Sequence, residues 1–384
     1  MTNLIRERAC SSSEMLTIFG DDAYVRAALN FESALARAEA AEGLISNHDA
    51  EVIADTCSAL IVDIPYLAEV AAHAGALAIP LVQQIRTLVG RQSESAAKNV
   101  HFGATSQDLA DTALVLQAKA AGVLIDTALE RMIAATAFLT ERYAATPMLG
   151  RTLLQGALPI TFGLKTAGWL TALDEARSRF ISEQKGSLVL QFGGATGSLV
   201  GLDGNAFNVA ERLSTTLGLA CPPLSWHARR NGIAGLATAL AIITGVAGKI
   251  ARDITLMAQP EVAEAFEPRI PGRGGSSVMA HKRNPTGCQI TLSAAMRTPN
   301  LAATILFALP QEHERGLGGW QIEAPVLAEL YQLTDGALTA LVTVVEGLEV
   351  DSDKMFANLE AAGVGFDVGE SLALAHRALE NRRA

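Results

Sequence analysis

The longest uninterrupted helical pattern in the chain runs from Ser106 to about Ala144 and sets the scale of the fold. An apolar seam steps along it by four, three, four and three residues, as in a coiled coil: Leu109, Ala113, Leu116, Ala120 and Val123. At about 1.5 Å per residue this helix would be roughly 55 Å long. A rod of that length exceeds a single compact core, so the pattern predicts packing along an extended helix bundle.

The rest of the chain also reads as helices, without a sustained strand pattern, internal repeat or flexible linker. The main predicted helices are Met15–Glu42, Ile160–Lys185, Asn205–Leu217, Trp226–Ala258, Gly287–Leu309 and Ala324–Glu346. We expect an all-α fold in three parts. These are an N-terminal helical domain over 1–97, a central long-helix bundle over 98–350 and a reduced C-terminal helical tail over 351–384.

The composition suits closely packed helices. Hydrophobic residues make up 49% of the chain, aromatic residues 5% and charged residues only 18%, against about 25% charged in ordinary soluble chains. The stretch Asn231–Gly248 lacks charge over a length that reaches the lower limit for a membrane span. Its threonines, glycines and alanines reduce its hydrophobicity, so we expect a helix buried in the bundle and no membrane contact.

Charge and cysteine content exclude several kinds of partner. The chain has 40 acidic and 30 basic residues, a formal net charge of −10, which repels nucleic acid and anionic membranes at long range. A local basic pocket can still bind a small anion. The four cysteines form no Cys-x-x-Cys pair, which argues against a zinc site or a disulfide framework. The first residues lack an apolar core, so we expect no signal peptide and a cytoplasmic protein.

The first candidate site segment is His101–Asp108, where a glycine-containing turn leads into the long helix. Thr105 and Ser106 present hydroxyls there, with Ser106 as the predicted N-cap. Free N–H groups at a helix N-terminus bind carboxylate or phosphate, helped by the helix dipole. The alternative is an ordinary serine cap with His101 satisfied in a loop, and this segment taken alone favours that alternative.

The second segment is Gly150–Thr161, which we expect to be an irregular stretch leading into a helix. It places Arg151, Thr152 and Gln155 in an otherwise apolar run. Buried polar groups need partners, so these side chains either bind a ligand or form a structural hydrogen-bond network. The segment alone does not decide between the two.

The third segment, Pro271–Pro285, carries most of the candidate chemistry. Its glycines allow positive φ angles and mobility. The candidate residues that follow them carry hydroxyls, a thioether, cations and an amide: Ser276, Ser277, Met279, His281, Lys282, Arg283 and Asn284. A flexible backbone beside several cations suits closure over a polyanionic substrate. The spacing matches neither a Walker loop nor a β-lactamase nucleophile motif.

Together the three segments resemble the active-site segments of the fumarase/aspartase superfamily. Gly275–Pro285 matches its Gly-Ser-Ser-x-Met-x-x-Lys-x-Asn-Pro loop, and His101–Asp108 and Gly150–Gln155 match the other two in the right order. The resemblance extends over residues 14 to about 345. It implies an all-α subunit with a long central bundle. It also implies a homotetramer in which each active site combines the three segments from three subunits.

Two departures from the superfamily pattern narrow the implied activity. Leu153 stands where fumarase and the argininosuccinate and adenylosuccinate lyases have a histidine, and Ala280 replaces the usual proline of the loop. That histidine acts on the leaving group or on water. A carboxylate has a reference pKa of about 4, so it attacks or leaves in its ionised form and needs no proton transfer from a histidine. The chain therefore most resembles the lactonising branch, in which one carboxylate of a tricarboxylate diene adds across a double bond.

The resemblance also implies a role for each matched residue. Ser276 is implied as the proton donor, with His101 or Lys282 as alternatives. Lys282, Asn284 and the helix N-terminus would stabilise the aci-carboxylate formed during addition. Further implied substrate contacts are Thr105, Ser106, Arg151, Thr152, Gln155, Ser277, Met279, His281, His313 and Arg315, with structural ion pairs an equal alternative for the last two. No metal or other cofactor is called for.

Three other interpretations stay open. An enzyme of the same fold could act on a diene that carries a sulfonate in place of one carboxylate, and the sequence does not separate the two. Lyase activity of the argininosuccinate or adenylosuccinate type is disfavoured by Leu153. A non-catalytic helical scaffold is disfavoured by the intact Ser276, Lys282 and Asn284.

Overall fold

A computed structural model describes residues 4–275, 278–279 and 282–383, and this part of the chain is mostly helical. Its helices are α1 (Leu4–Glu7), α2 (Ser13–Ile18), α3 (Asp21–Ala41), α4 (Asn47–Ala59), α5 (Ile64–Ala74), α6 (Ala78–Gly90), α7 (Glu94–Asn99), α8 (Ser106–Arg142), α9 (Phe162–Ser187), α10 (Ala206–Leu217), α11 (Asn231–Met257), α12 (Thr286–Phe307), α13 (Glu323–Glu346), α14 (Ser352–Ala362) and α15 (Ser371–Arg383). The strands β1 (Pro147–Thr152) and β2 (Gln155–Thr161) pair antiparallel, as do β3 (Ala265–Phe266) and β4 (Glu349–Val350). The predicted all-α class is confirmed.

The centre of the molecule is a bundle of the long helices α8, α9, α11, α12 and α13, which pack against one another. Helix α8 has 37 residues and matches the predicted rod. One hydrophobic core runs through the bundle and on to the N-terminal helices, from Met15 to Met355. The long central bundle expected from the sequence is therefore present.

The predicted seam of α8 is only partly correct. Leu109 and Ala113 are fully buried, but Val123 is 63% exposed in the protomer. A straight α-helix drifts away from a strict seven-residue repeat, so the inward face moves onto neighbouring positions. Those positions are Ala118, Ala121, Ile125 and Leu129.

The predicted helix Met15–Glu42 is in fact two helices, α2 and α3, separated at Phe19–Gly20. Gly20 caps α3 in an extended conformation, with φ −73° and ψ 158°. Asp21 and Asp22 then occupy the first turn of α3, where the helix dipole favours negative charge. The local capping chemistry overrides the apolar periodicity that continues across the break.

The second segment is a β-hairpin rather than an irregular lead into a helix, and α9 begins only at Phe162. Leu153 and Leu154 form its two-residue turn, and both have positive φ angles, 51° and 65°. The strands escape prediction because β1 has few β-branched residues and contains Gly150. A Cβ atom at Gly150 would lie 2.5 Å from the carbonyl oxygen of Leu158 on the paired strand, so the hairpin requires this glycine.

Two helices among the described residues, α8 and α11, are long and apolar enough to cross a membrane by length and composition alone. The number rises to three if the bent pair α4 and α5 is taken as one span. In each long helix 61% of the apolar window is buried inside the protein. The uncharged stretch Asn231–Gly248 thus lies within the bundle, as predicted, and α8 meets the same length criterion.

Ion pairs show that α8 and α13 run in the same direction and that α11 begins beside their starts. Arg230, which precedes α11, pairs with Asp111 near the start of α8 and with Glu323 at the start of α13. At the other end, Arg131 of α8 pairs with Glu346 in the last turn of α13. We call these the N end and the C end of the bundle.

Candidate active site

The first segment lies at the N end, where Thr105 is the N-cap of α8 and Ser106 is its first residue. The prediction of Ser106 as the cap is therefore wrong by one position. The reason is Asp108, whose carboxylate accepts a hydrogen bond of 3.0 Å from the backbone N–H of Thr105 and closes a capping box. Thr105 and Ser106 are both half-buried.

Asp108 also joins the first segment to two other loops. Its fully buried carboxylate accepts from the backbone N–H of Gly194 at 2.9 Å and contacts Nε2 of His227 at 2.6 Å. Gly194 has a φ of 68°, and a Cβ atom there would lie 2.9 Å from the carbonyl oxygen of Gly103. The turn at 191–197 therefore packs directly against the first segment.

Arg315 meets the same segment, whereas His313 does not. The guanidinium of Arg315 donates to Oε1 of Gln107 and to the carbonyl oxygen of Ala195, both at 3.0 Å. No described carboxylate pairs with Arg315, so its charge is available to an anion. His313 is exposed, with a φ of 47°. The structure thus places Arg315 against the first segment through Gln107.

His101 completes this group from the turn before α8. Its Nδ1 lies 2.5 Å from Oε1 of Glu32 on α3. Burial by itself would lower the pKa of His101, but the negative charges of Glu32 and Asp108 outweigh burial, and the pKa is raised. A carboxylate from α3 therefore holds His101 in this turn.

A buried ionic network at the N end is absent from the sequence predictions. Arg230 is 1% exposed, and its guanidinium donates to both oxygens of Asp111 and to Glu323. The indole N–H of Trp320 and the amide of Gln191 also donate to Asp111, at 2.9 and 3.1 Å. The network fixes the starts of three helices beside the first segment. Its one sequence signal is the position of Arg230 just before an apolar helix.

The second segment lies at the C end. Arg151 makes a two-pronged ion pair with the fully buried Glu264, at 2.8 and 2.7 Å. Asn358 donates to the same carboxylate at 2.9 Å. Thr152 and Gln155 are exposed near the hairpin tip, where Leu153 is 96% exposed. Arg151 therefore belongs to a structural network in the protomer, while its neighbours face outward.

The third segment borders a cavity of about 390 Å³ at the C end. Asn284 is fixed there, because its side chain donates to the carbonyl oxygen of Gly275 at 3.1 Å and its backbone N–H donates to Gly274 at 2.9 Å. Arg283 is occupied by an ion pair with Glu349 at 3.0 Å. Lys282 is exposed and makes no ion pair with any described residue.

Several predicted residues of the third segment lie outside the described part of the chain. They are Ser276, Ser277 and His281, together with Ala280. Met279 is described and is partly exposed next to them. The placement of the loop therefore rests on Lys282, Asn284 and the glycines before them.

The first segment and the other two do not meet within one protomer. Thr105 caps the start of α8, whereas the third segment is anchored by a 3.1 Å hydrogen bond from Arg273 to the carbonyl oxygen of Ala340, near the end of α13. Because that end of α13 is level with Arg131, the two clusters are separated by about 40 Å along α8. The candidate residues of one protomer thus form two separate clusters, which we call the two partial sites.

Comparison with known proteins agrees with the sequence resemblance. A family described as Lyase matches residues 7–299. The chain is 46% identical over 368 residues to a 3-carboxy-cis,cis-muconate cycloisomerase of Bradyrhizobium diazoefficiens, covering 96% of this chain and 82% of that protein. It is 43% identical over 367 residues to the cycloisomerase of the same name from Pseudomonas aeruginosa, covering 95% and 80%.

The fold has a solved counterpart as well. The crystal structure of 3-carboxy-cis,cis-muconate lactonizing enzyme from Pseudomonas putida superposes with a TM-score of 0.89 at 40% identity, covering 100% of this chain and 88% of that chain. The likeness extends along the whole chain. This chain therefore belongs to the lyase family of the fumarase/aspartase superfamily and is an enzyme of that superfamily.

Proposed function

We propose that this protein is a metal-independent cycloisomerase that lactonises 3-carboxy-cis,cis-muconate to 4-carboxymuconolactone. This reaction belongs to the protocatechuate branch of aromatic degradation through β-ketoadipate. The observation that carries the proposal is the 46% identity, over 96% of the chain, to a cycloisomerase of that name. The chemistry of the matched residues supports it.

The reaction is an isomerisation of the acid form, and no group leaves. The ionised substrate takes up one proton, which balances the carboxylate charge that is lost when the lactone C–O bond forms. An oxygen of one substrate carboxylate forms the C–O bond of the lactone, and the electron pair of the double bond moves to the carbon α to another carboxylate. A proton then adds to that carbon. Because the attacking carboxylate is ionised at neutral pH, no general base is needed. Leu153, which can neither accept nor donate a proton, is compatible with this reaction.

Each step has candidate residues in the three segments. The charge that develops on the aci-carboxylate would be stabilised by Lys282 and Asn284, and by the N-terminus of α8 at Thr105 and Ser106. Ser276 is the proposed proton donor. The absence of an ion pair between Lys282 and any described residue supports its role, as does the rigid hydrogen bonding of Asn284.

We further propose a homotetramer in which each active site combines segments from three subunits. The separation of about 40 Å between the two partial sites supports this arrangement, because one protomer cannot close the distance. Large apolar side chains exposed on the central helices also favour burial between subunits. They include Val123, Phe138, Ile181, Ile242, Met296 and Phe307.

The proposed location is the cytoplasm. All four cysteines are free, which suits a reducing compartment better than an oxidising one.

The direct test mixes the purified protein with 3-carboxy-cis,cis-muconate and follows the loss of diene absorbance. We expect turnover that survives exhaustive EDTA treatment, with 3-sulfomuconate, adenylosuccinate and argininosuccinate as comparison substrates. If any of these three compounds is turned over faster than 3-carboxy-cis,cis-muconate, the proposed substrate is wrong. Loss of activity after EDTA would contradict the metal-independent scheme.

The same assay tests the proposed proton donor. Replacing Ser276→Ala should reduce kcat by about 100-fold or more, the scale of a lost general acid. Ser277→Ala is the matched control, since it removes the neighbouring hydroxyl and should act mainly on KM. Near-native turnover of the Ser276→Ala enzyme would show that this hydroxyl is not the proton donor.

A further inference from the structure

A buried carboxylate from a different part of the chain contacts His101. Oε1 of Glu32 lies 2.5 Å from Nδ1 of His101, although the two residues are 69 positions apart. The side chain of Glu32 is fully buried, and that of His101 is 11% exposed. The contact forms where α3 packs beside the turn that precedes α8. It is therefore a product of tertiary folding and not of local geometry.

The backbone holds His101 in an unusual conformation. Its φ is 61°, in the left-handed region that non-glycine residues rarely adopt. Such conformations persist where surrounding contacts fix them, and they concentrate at functional sites. Nearby, Gly103 packs so closely on Leu202 that a Cβ atom would lie 2.7 Å from it. The turn therefore has little freedom to move His101 away from Glu32.

The charges that face His101 come from three helices. Glu32 on α3 and Asp108 on α8 are acidic, whereas Arg86 on α6 is basic. Burial alone would lower the pKa of His101, but the two carboxylates outweigh burial and Arg86, so the pKa is raised. The protonated imidazole is accordingly the form that this environment stabilises.

Glu32 itself is flanked by two groups that carry no charge at neutral pH. Burial, reinforced by Glu32, raises the pKa of Glu39 on the same helix to about 9. Burial and Glu32 likewise raise the pKa of Cys57 on α4 to about 12. Arg26, which donates to the carbonyl oxygen of Cys57, opposes that increase. Glu32 is therefore the carboxylate of this cluster that contacts His101.

We infer that Glu32 is a positioning residue that pairs with Nδ1 of the cationic imidazole of His101 and fixes its orientation, so that Nε2 donates to a substrate carboxylate beside Thr105 and Ser106. An ionised carboxylate can only accept, so Nδ1 is the donor in the pair with Glu32. Within the described ranges no residue accepts from Nε2, which leaves it for a ligand. A cationic imidazole beside a helix N-terminus suits a carboxylate. The inference rests on the proposed function, because it places His101 in the active site.

Glu39 offers a matched control. It lies on α3 like Glu32, is fully buried, and has no hydrogen-bond partner among the described residues. Since its pKa is about 9, it is protonated at pH 7, and Glu39→Gln replaces a neutral group by one of nearly the same shape. Glu32→Gln makes the same chemical change where the carboxylate contacts His101.

The experiment measures kcat/KM against pH for the wild type and for the Glu32→Gln and Glu39→Gln variants. Glu32 raises the pKa of His101, so the cation persists to higher pH in the wild type. Without Glu32 the alkaline limb should move to lower pH, and kcat/KM at pH 8 should fall about ten- to a hundredfold. Glu39→Gln should follow the wild-type profile.

A Glu32→Asp variant separates positioning from packing. It keeps the negative charge but leaves a small void, so it should recover part of the alkaline limb that Glu32→Gln loses. A purely structural role predicts that Asp is no better than Gln. Superposition of the Glu32→Gln and Glu39→Gln profiles would overturn the inference.

Histidine titration by NMR distinguishes this inference from the proposed function. His101 is assigned with a His101→Gln variant, and its pKa should be lower in Glu32→Gln than in the wild type. An unchanged pKa would refute the role of Glu32 even if the enzyme lactonises the diene. If the wild type does not turn over the diene but the titration shifts, the proposed function fails and the effect of Glu32 on His101 stands.

Discussion

Arg230 illustrates how much one buried side chain can hold together. It pairs with Asp111 and Glu323, and so holds together the N-terminal ends of α8, α11 and α13. Removing one partner of a buried ion pair leaves uncompensated charge in the interior, here two carboxylates. The alignment of these helices beside Thr105 therefore depends on a single guanidinium.

Replacing Arg230→Met should lower the free energy of unfolding by about 3–5 kcal/mol. The neighbouring Arg229 is exposed, and Arg229→Met should change stability by less than about 0.5 kcal/mol. Urea unfolding of both variants measures the difference. Equal stabilities would show that the network contributes little beyond packing.

The role of a single residue can be predicted from the sequence where the residue belongs to a short local motif. Lys282, Asn284 and Thr105 belong to short patterns that specify a turn, a cap or a cationic loop. Arg230 and Glu32 do not, because their partners are 119 and 69 positions away. A buried charge with a distant partner looks in sequence like a charge on a solvated helix face.

At the level of elements, the hairpin β1–β2 is the exception in a helical chain. Its two-residue turn consists of Leu153 and Leu154, both at positive φ, where asparagine and glycine are the usual residues. The sequence therefore lacks the turn signal that would predict a hairpin. In contrast, the sequence predicts α8 and α11 well, because periodicity over many turns averages out local irregularities.

Converting the turn to an asparagine–glycine pair by the double substitution Leu153→Asn and Leu154→Gly should raise the free energy of unfolding by roughly 1–2 kcal/mol. The cause is relief of backbone strain at two left-handed positions. Leu158→Asn, on the exposed face of the same hairpin, is the control because it removes a leucine without changing the turn. Thermal unfolding measures both, and equal shifts in Tm would assign the effect to lost apolar surface instead.

For the whole molecule, the separation of the partial sites predicts complementation between inactive variants. A Thr105→Ala/Ser106→Ala protein is defective at the N end, and a Lys282→Ala protein at the C end. If each active site draws these segments from different subunits, mixed tetramers contain some sites with neither defect. Unfolding and refolding the two together should therefore restore a fraction of the wild-type activity.

Each variant refolded alone is the control and should stay inactive. Absence of recovery, with mixed tetramers verified by mass spectrometry, would contradict the shared site. The resemblance to the superfamily implies a site shared between subunits, and the motifs identify the three segments. The distance between them depends on which ends of α8, α11 and α13 lie together, and the packing of these helices is needed to obtain it.

The length of α8 has a consequence for kinetics. If an isolated protomer has only two incomplete clusters of active-site residues, one at each end of the bundle, it cannot turn over substrate by itself. At enzyme concentrations at which the subunits dissociate, the measured rate should then rise more steeply than linearly with enzyme concentration. Specific activity should therefore fall on dilution. Assays at nanomolar enzyme would then report the assembly equilibrium as much as the chemistry.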